Sequence, residues 1–187
     1  MSAQKREGLT PVSCYNSVNT LTMEPGEALG IAAQIAVALA GFAGVVVVFR
    51  RESVHEWSSA DKLRLRFLLA NSLLPLSLCM LGLLLLTIKP MPPGIWRWCS
   101  GVAFVVSLLF AIRMTTIFRR VDPREVQRTR SIGFLFYLLG AFGVAVMLLQ
   151  LSNTTLLGAF WPFFTAINYQ LVTAVLQFAR MILLLPE

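Results

Sequence analysis

The chain has 187 residues, of which 57% are hydrophobic and 13% charged, and its formal net charge is +7. An average soluble domain is about 45–50% apolar and about 25% charged. The high apolar content excludes a disordered chain, and too few charges remain to cover a water-soluble globule, which leaves an integral membrane protein.

A membrane-crossing helix needs about 20 mostly apolar residues. Five stretches meet that length, and they predict an all-α integral membrane helix bundle of five transmembrane helices. Residues 1–27 are polar, broken by Pro11 and Pro25, and lack the pattern of a signal peptide. They are expected to form a flexible extracytoplasmic tail, with residues 28–187 a single bundle. Span one covers 29–49 and stops at Arg50-Arg51. It carries small residues at helical spacing, Gly30, Ala33, Ala36, Ala40 and Gly44, a candidate helix-packing stripe. The stripe reads either as packing within the bundle or as a contact with a second copy.

Span two covers 67–88 and stops at Lys89-Pro90. Ser58-Ser59-Ala60-Asp61 has the form of a capping box, so its helix should begin near Ser59. Pro75 lies inside it and should leave the Asn71 carbonyl without its usual partner. The remaining faces are rich in leucine, which predicts that much of span two meets lipid while spans one, three and four pack tightly.

Span three covers about 98–117, ends at Arg119-Arg120, and repeats the small-residue pattern with Ser100, Ala103, Ser107, Ala111 and Thr115. Asp122-Pro123-Arg124-Glu125 is suited to start the next helix. Span four covers 132–151. The fifth is placed at 162–185, with Pro162 in its first turn and residues 156–161 at the interface. Trp96, Trp98, Phe160 and Trp161 form an aromatic belt on one side, with Trp57 on the other.

Arginine and lysine set the expected orientation. Arg50, Arg51, Lys62, Arg64 and Arg66 fall between spans one and two, and Arg119, Arg120, Arg124, Arg128 and Arg130 between spans three and four. Only Lys89 and Arg97 lie near the membrane on the opposite side. The positive-inside rule then places the N-terminus out and the C-terminus in the cytoplasm. These ten loop cations are the candidate contacts to anionic lipid headgroups, and no nucleic-acid partner is expected because no basic patch interleaved with aromatics is present. The two hairpins share an Phe-Arg-Arg stop and an Arg-x-Arg step, which reads as a tandem duplication or as the arginine demand of two cytoplasmic loops.

Gln170, Thr173, Gln177 and Arg180 recur at intervals of three and four and so share one face of span five. A polar seam of this length should face protein or water. It reads as interhelical hydrogen-bonding glue or as the lining of a polar pathway or ligand cleft, with Asn168, Gln34 or Gln150 contributing. No Asp or Glu lies within a span, the single histidine is His55 in a loop, and Cys14, Cys79 and Cys99 lack metal-ligand spacing. No catalytic, cofactor-binding or metal site is therefore expected. Cys14 and Cys99 could form a disulfide on an oxidising side, and Asn153-Thr154-Thr155 is a glycosylation sequon.

The stretch LAGFAGVVVVFRRESVHEWSSADKLRLRFLLANSLL, residues 39–74, resembles uncharacterised small multi-pass membrane proteins of bacteria. The features carrying it are the small-residue first span, the Phe-Arg-Arg stop, the W-S-x-x-D cap and the R-x-R-x-L-L approach to span two. The resemblance covers about a fifth of the chain. It implies a bacterial cytoplasmic (inner) membrane location and carries no functional residues. Two function classes follow: a non-enzymatic structural, assembly or sensing component acting through helix–helix contacts, or a small oligomeric transporter or channel using the span-five seam.

Overall fold

The structure, a computed structural model, describes residues 23–49, 59–89, 93–118 and 130–183. Among these it contains only helices, turns and short irregular links. The helices are α1 (Pro25–Phe49), α2 (Ser59–Thr87), α3 (Ile95–Phe118), α4 (Arg130–Ser152) and α5 (Phe160–Leu183). A π-helical turn, Asn153–Leu157, continues α4 toward α5. Helix starts follow local chemistry. Pro25 opens α1, where its missing N–H is no loss, and Glu27 sits in the favourable first turn. Pro25, Gly26 and Glu27, read from the sequence as the end of the polar tail, are thus the first turn of α1. α2 begins at Ser59, as the capping-box pattern predicts. The proposed start of helix four at Asp122 lies outside the described residues.

Four helices are long and apolar enough to cross a membrane: Pro25–Val45, Leu65–Thr87, Ile95–Ile117 and Tyr137–Leu157. Their length and composition identify a membrane-embedded helical bundle. α5 is not one of the four, because Asn168, Gln170, Gln177 and Arg180 interrupt its apolar sequence. It is the most amphipathic of the five helices and its polar face is turned into the bundle.

The packing order differs from the sequence expectation. α1 packs most extensively on α2, and α2 on α5, so α2 is central rather than lipid-facing. Its buried face is Leu68, Asn71, Ser72, Pro75, Leu78, Cys79 and Gly82, a three-and-four spacing that mixes small and polar residues with leucine. The leucine-rich composition hid this stripe, because in α2 the leucines occupy both the inner and the outer faces. At Gly82 a Cβ would lie 2.8 Å from Leu29 Cδ1 and 3.4 Å from the Phe163 ring, so α1, α2 and α5 meet there at closest approach. α4 is the least buried of the four apolar helices, with Tyr137, Phe142, Val144 and Leu148 exposed.

The α1 stripe is also displaced. α1 buries Ala28, Leu29, Ala32, Ala36, Leu39 and Ala43. Only Ala36 is shared with the expected set: Ala33 and Ala40 are half-buried, and a Cβ at Gly30 or Gly44 would meet nothing within 4 Å. The face turned inward is the one bearing Leu29 and Leu39, which fill the space between α2 and α5 more completely than glycine could.

Candidate functional site

Helices α2, α3, α4 and α5 surround a cavity of about 280 Å³. α5 supplies its polar wall. Gln170, Thr173 and Gln177 all line it, together with Ala166 and Tyr169. The periodicity of the seam is thus realised as one face turned onto one space. Arg180, one turn further along, is half-buried and is not part of the lining. From Ala166 to Gln177 the wall extends about 16 Å along the helix axis, at 1.5 Å rise per residue.

The opposing walls contribute few polar groups. α3 presents Ser107 and Thr115, and α2 presents Asn71. The Asn71 amide donates one hydrogen to Phe67 O at 2.9 Å and the Thr115 hydroxyl donates to Ala111 O at 2.8 Å, so each bonds back to its own helix. Thr173 Oγ1 likewise donates to Tyr169 O at 2.8 Å. Tyr169 crosses to α4 instead, donating to Leu139 O at 2.8 Å. It lies over Gly143, where a Cβ would be 2.8 Å from its hydroxyl, so the glycine is what admits the ring. Phe67 and Phe110 close the gap between α2 and α3 edge to face, with ring centroids 5.9 Å apart.

Gln170 and, outside the cavity lining, Gln150 each keep a buried side-chain oxygen without a partner among the described residues. Gln170 is 5% exposed, its Nε2 donates to Ser107 Oγ at a long 3.4 Å, and its Oε1 is buried without a partner. Turning the amide over would exchange an unpaired acceptor for an unpaired donor, so the deficit persists in either assignment. A buried polar group in this state costs about 1–3 kcal/mol relative to a satisfied one. Among the described residues the lining contains no Asp, Glu, His, Lys or Arg. The site can therefore accept a neutral molecule that both donates and accepts hydrogen bonds and carries an apolar body, the usual chemistry of a mostly apolar pocket with a few convergent polar groups.

Aromatic residues near the start of α5 pack beyond the cavity lining. Phe163 is fully buried there, and Trp96 packs on Phe160 and Phe163 with centroids 4.8 and 6.0 Å apart. Beyond it Asn153, fully buried in the π turn, ties three segments together. Its Nδ2 donates to Ser100 Oγ at 2.6 Å and to Ala159 O at 3.0 Å, and its Oδ1 accepts from Ala159 N at 2.9 Å. Gln150 Nε2 donates to Pro162 O at 2.6 Å in the same region. This burial removes Asn153 as a glycosylation acceptor. It also places Gln150 outside the cavity lining, and Asn168 and Gln34 are exposed on other faces, so none of the three expected auxiliaries joins the seam.

Comparison with protein-family models, with curated proteins and with solved structures finds no match for this chain.

Of the expected lipid contacts, Arg50, Arg51, Arg119, Arg120, Arg124 and Arg128 lie outside the described residues, as do the side chains of Arg64 and Arg130. Lys62 and Arg66 are described in the first two turns of α2, with Arg66 exposed. His55 and Cys14 fall outside the described residues, and Cys79 and Cys99 are buried free thiols. Sequence reasoning missed Asn71, Ser107 and Tyr169 as lining residues. Ser107 and Asn71 were legible only as packing residues, because nothing in one helix's periodicity says which face of its neighbour it meets.

Proposed function

We propose that this chain is a non-enzymatic component of the bacterial cytoplasmic membrane, with five spans, the N-terminus out and the C-terminus in. It acts by binding a small neutral molecule in the cavity between α2 and α5, which makes sensing the favoured role among the structural, assembly and sensing alternatives. The observation that carries this reading is the buried Oε1 of Gln170, an acceptor on the cavity wall that no group among the described residues satisfies. The orientation is supported by the clustering of Arg and Lys in residues 50–66 and 119–130 against Lys89 and Arg97 opposite. α5 is taken as the fifth span because its 24 residues are long enough and its polar face is covered by the other helices.

A second reading, a transporter, draws on the length of the seam along α5. One experiment separates the two. Gln170→Cys in a background with Cys14, Cys79 and Cys99 replaced by Ala is exposed in sealed vesicles to a membrane-impermeant thiol reagent. Labelling from one side alone is expected for a binding cavity. Labelling from either side supports the transporter, and no labelling from either side leaves the seam as dry packing and overturns both.

A further inference from the structure

On the outside of the bundle, a second concavity runs down the face of α3 beside the π turn. Gly101, Val102 and Val105 floor it, Leu157 forms one flank, and Arg97 and Trp98 stand at its mouth. From Arg97 to Val106 it descends about 13 Å, close to the roughly 15 Å depth of one leaflet of hydrocarbon. Val102 and Val105 are 41% and 52% exposed and Trp98 is 72% exposed, so the groove faces the lipid phase with an interfacial aromatic at its rim.

The mouth is built to hold one cation. Arg97 lies against two glycines with left-handed backbone, Gly94 (φ +74°) and Gly158 (φ +64°). A Cβ at Gly158 would be 3.0 Å from Arg97 Nε, and one at Gly94 would be 3.6 Å from Arg97 Cδ. Positive φ favours glycine at both positions, and the same absence of side chains makes room for the arginine. Among the described residues its only polar side-chain contact is a long one, 3.5 Å from Nη2 to Leu156 O, and it has no carboxylate partner. Most of its five donors therefore remain available above an apolar channel.

We propose that this groove is a binding site for an anionic phospholipid, with the phosphate on the Arg97 guanidinium and one acyl chain along Gly101, Val102 and Val105. Arginine matches phosphate in a bidentate geometry, and none of the groove residues carries a negative charge to pair the ammonium of a zwitterionic headgroup. The charge selects the headgroup and the channel length selects a chain in the same leaflet. This site is separate from the cavity between α2 and α5 and does not depend on its occupant.

The test is native mass spectrometry of the purified full chain in mild detergent. It is titrated with phosphatidylglycerol, with phosphatidylcholine of the same acyl chains, and with glycerol phosphate as the headgroup alone. The wild type is expected to hold one phosphatidylglycerol about tenfold more tightly than phosphatidylcholine, the scale of one charge-assisted contact. Arg97→Gln should abolish that preference and Arg97→Lys should retain part of it. Val105→Trp, an exposed position that can take a larger side chain, should lower the affinity for both lipids by filling the channel. Circular dichroism and size-exclusion profiles matching the wild type establish that each variant is folded. Retention of the preference in Arg97→Gln, or unchanged binding in Val105→Trp, would assign the lipid to other cations of the chain and overturn the proposal. Displacement by equimolar glycerol phosphate would show a free-phosphate site instead.

Discussion

Gln170 on α5 reaches Ser107 on α3 across 3.4 Å and leaves its own carbonyl oxygen buried and unpaired. The contact is too long to be a strong hydrogen bond. The pair thus marks a place where two helices face each other with polar groups and yet stay apart.

Gln170→Leu is accordingly expected to stabilise the protein rather than weaken it. The bond lost is worth about 0.6 kcal/mol on average between membrane helices, while the unsatisfied acceptor it removes costs about 1–3 kcal/mol. Thermal unfolding in detergent should show an increase of order 1 kcal/mol. A loss of 2 kcal/mol or more would mean that Gln170 holds the helices together.

Gly82 and Gly44 should respond in opposite ways to the same change. Gly82→Val must displace Leu29 and Phe163, both fully buried, and is expected to cost about 1–3 kcal/mol. Gly44→Ala meets open space and should gain up to about 1 kcal/mol from helix propensity. Equal effects at the two positions in a denaturation series would contradict the packing described for α1 and α2.

Tyr169→Phe removes the hydroxyl that donates to Leu139 O and should cost about 1 kcal/mol. Because α4 is so little buried elsewhere, the effect should be local. Hydrogen exchange is expected to rise around residues 137–147 and to stay unchanged in α1 and α2. A uniform rise across the chain would show that α4 does not move independently.

Asn153→Leu strips the π turn of three hydrogen bonds and removes the side-chain partner of Ser100 Oγ and of the Ala159 N–H. A loss of about 2–5 kcal/mol is expected in thermal unfolding, since each buried orphan adds its own penalty. Expressed in a glycosylating host, the wild type should carry no glycan at this residue. A mass shift at Asn153 would refute its burial.

Much of the fold could be read from the residues. Long apolar runs ended by arginine marked the helices, and the capping box located Ser59. The spacing of Gln170, Thr173 and Gln177 identified the cavity wall before any partner was known. What could not be read was which faces meet. In a lipid phase leucine is equally at home inside and outside, so hydrophobicity alone does not reveal that α2 is central and α4 peripheral. The same holds for the α1 stripe: within one chain Gly30 and Gly44 meet no other helix, which leaves the reading as a contact with a second copy untouched. The π turn at Asn153–Leu157 also escaped, because its sequence is Asn-Thr-Thr-Leu-Leu and its geometry comes from contacts to Ser100 and Ala159 distant from any local signal.

Among the described helices, those in closest mutual contact are α1, α2 and α5, of which α5 is made after the other two. α1 and α2 can pair as a hairpin soon after they enter the membrane, yet Gly82 stays uncovered by Phe163 until α5 arrives. The cavity has the same dependence, since its polar wall is α5 itself. Completion of the core and of the cavity therefore both wait for α5. Until then, the pocket for Phe163 beside Leu29 is a vacancy that a biogenesis factor or a neighbouring helix could occupy.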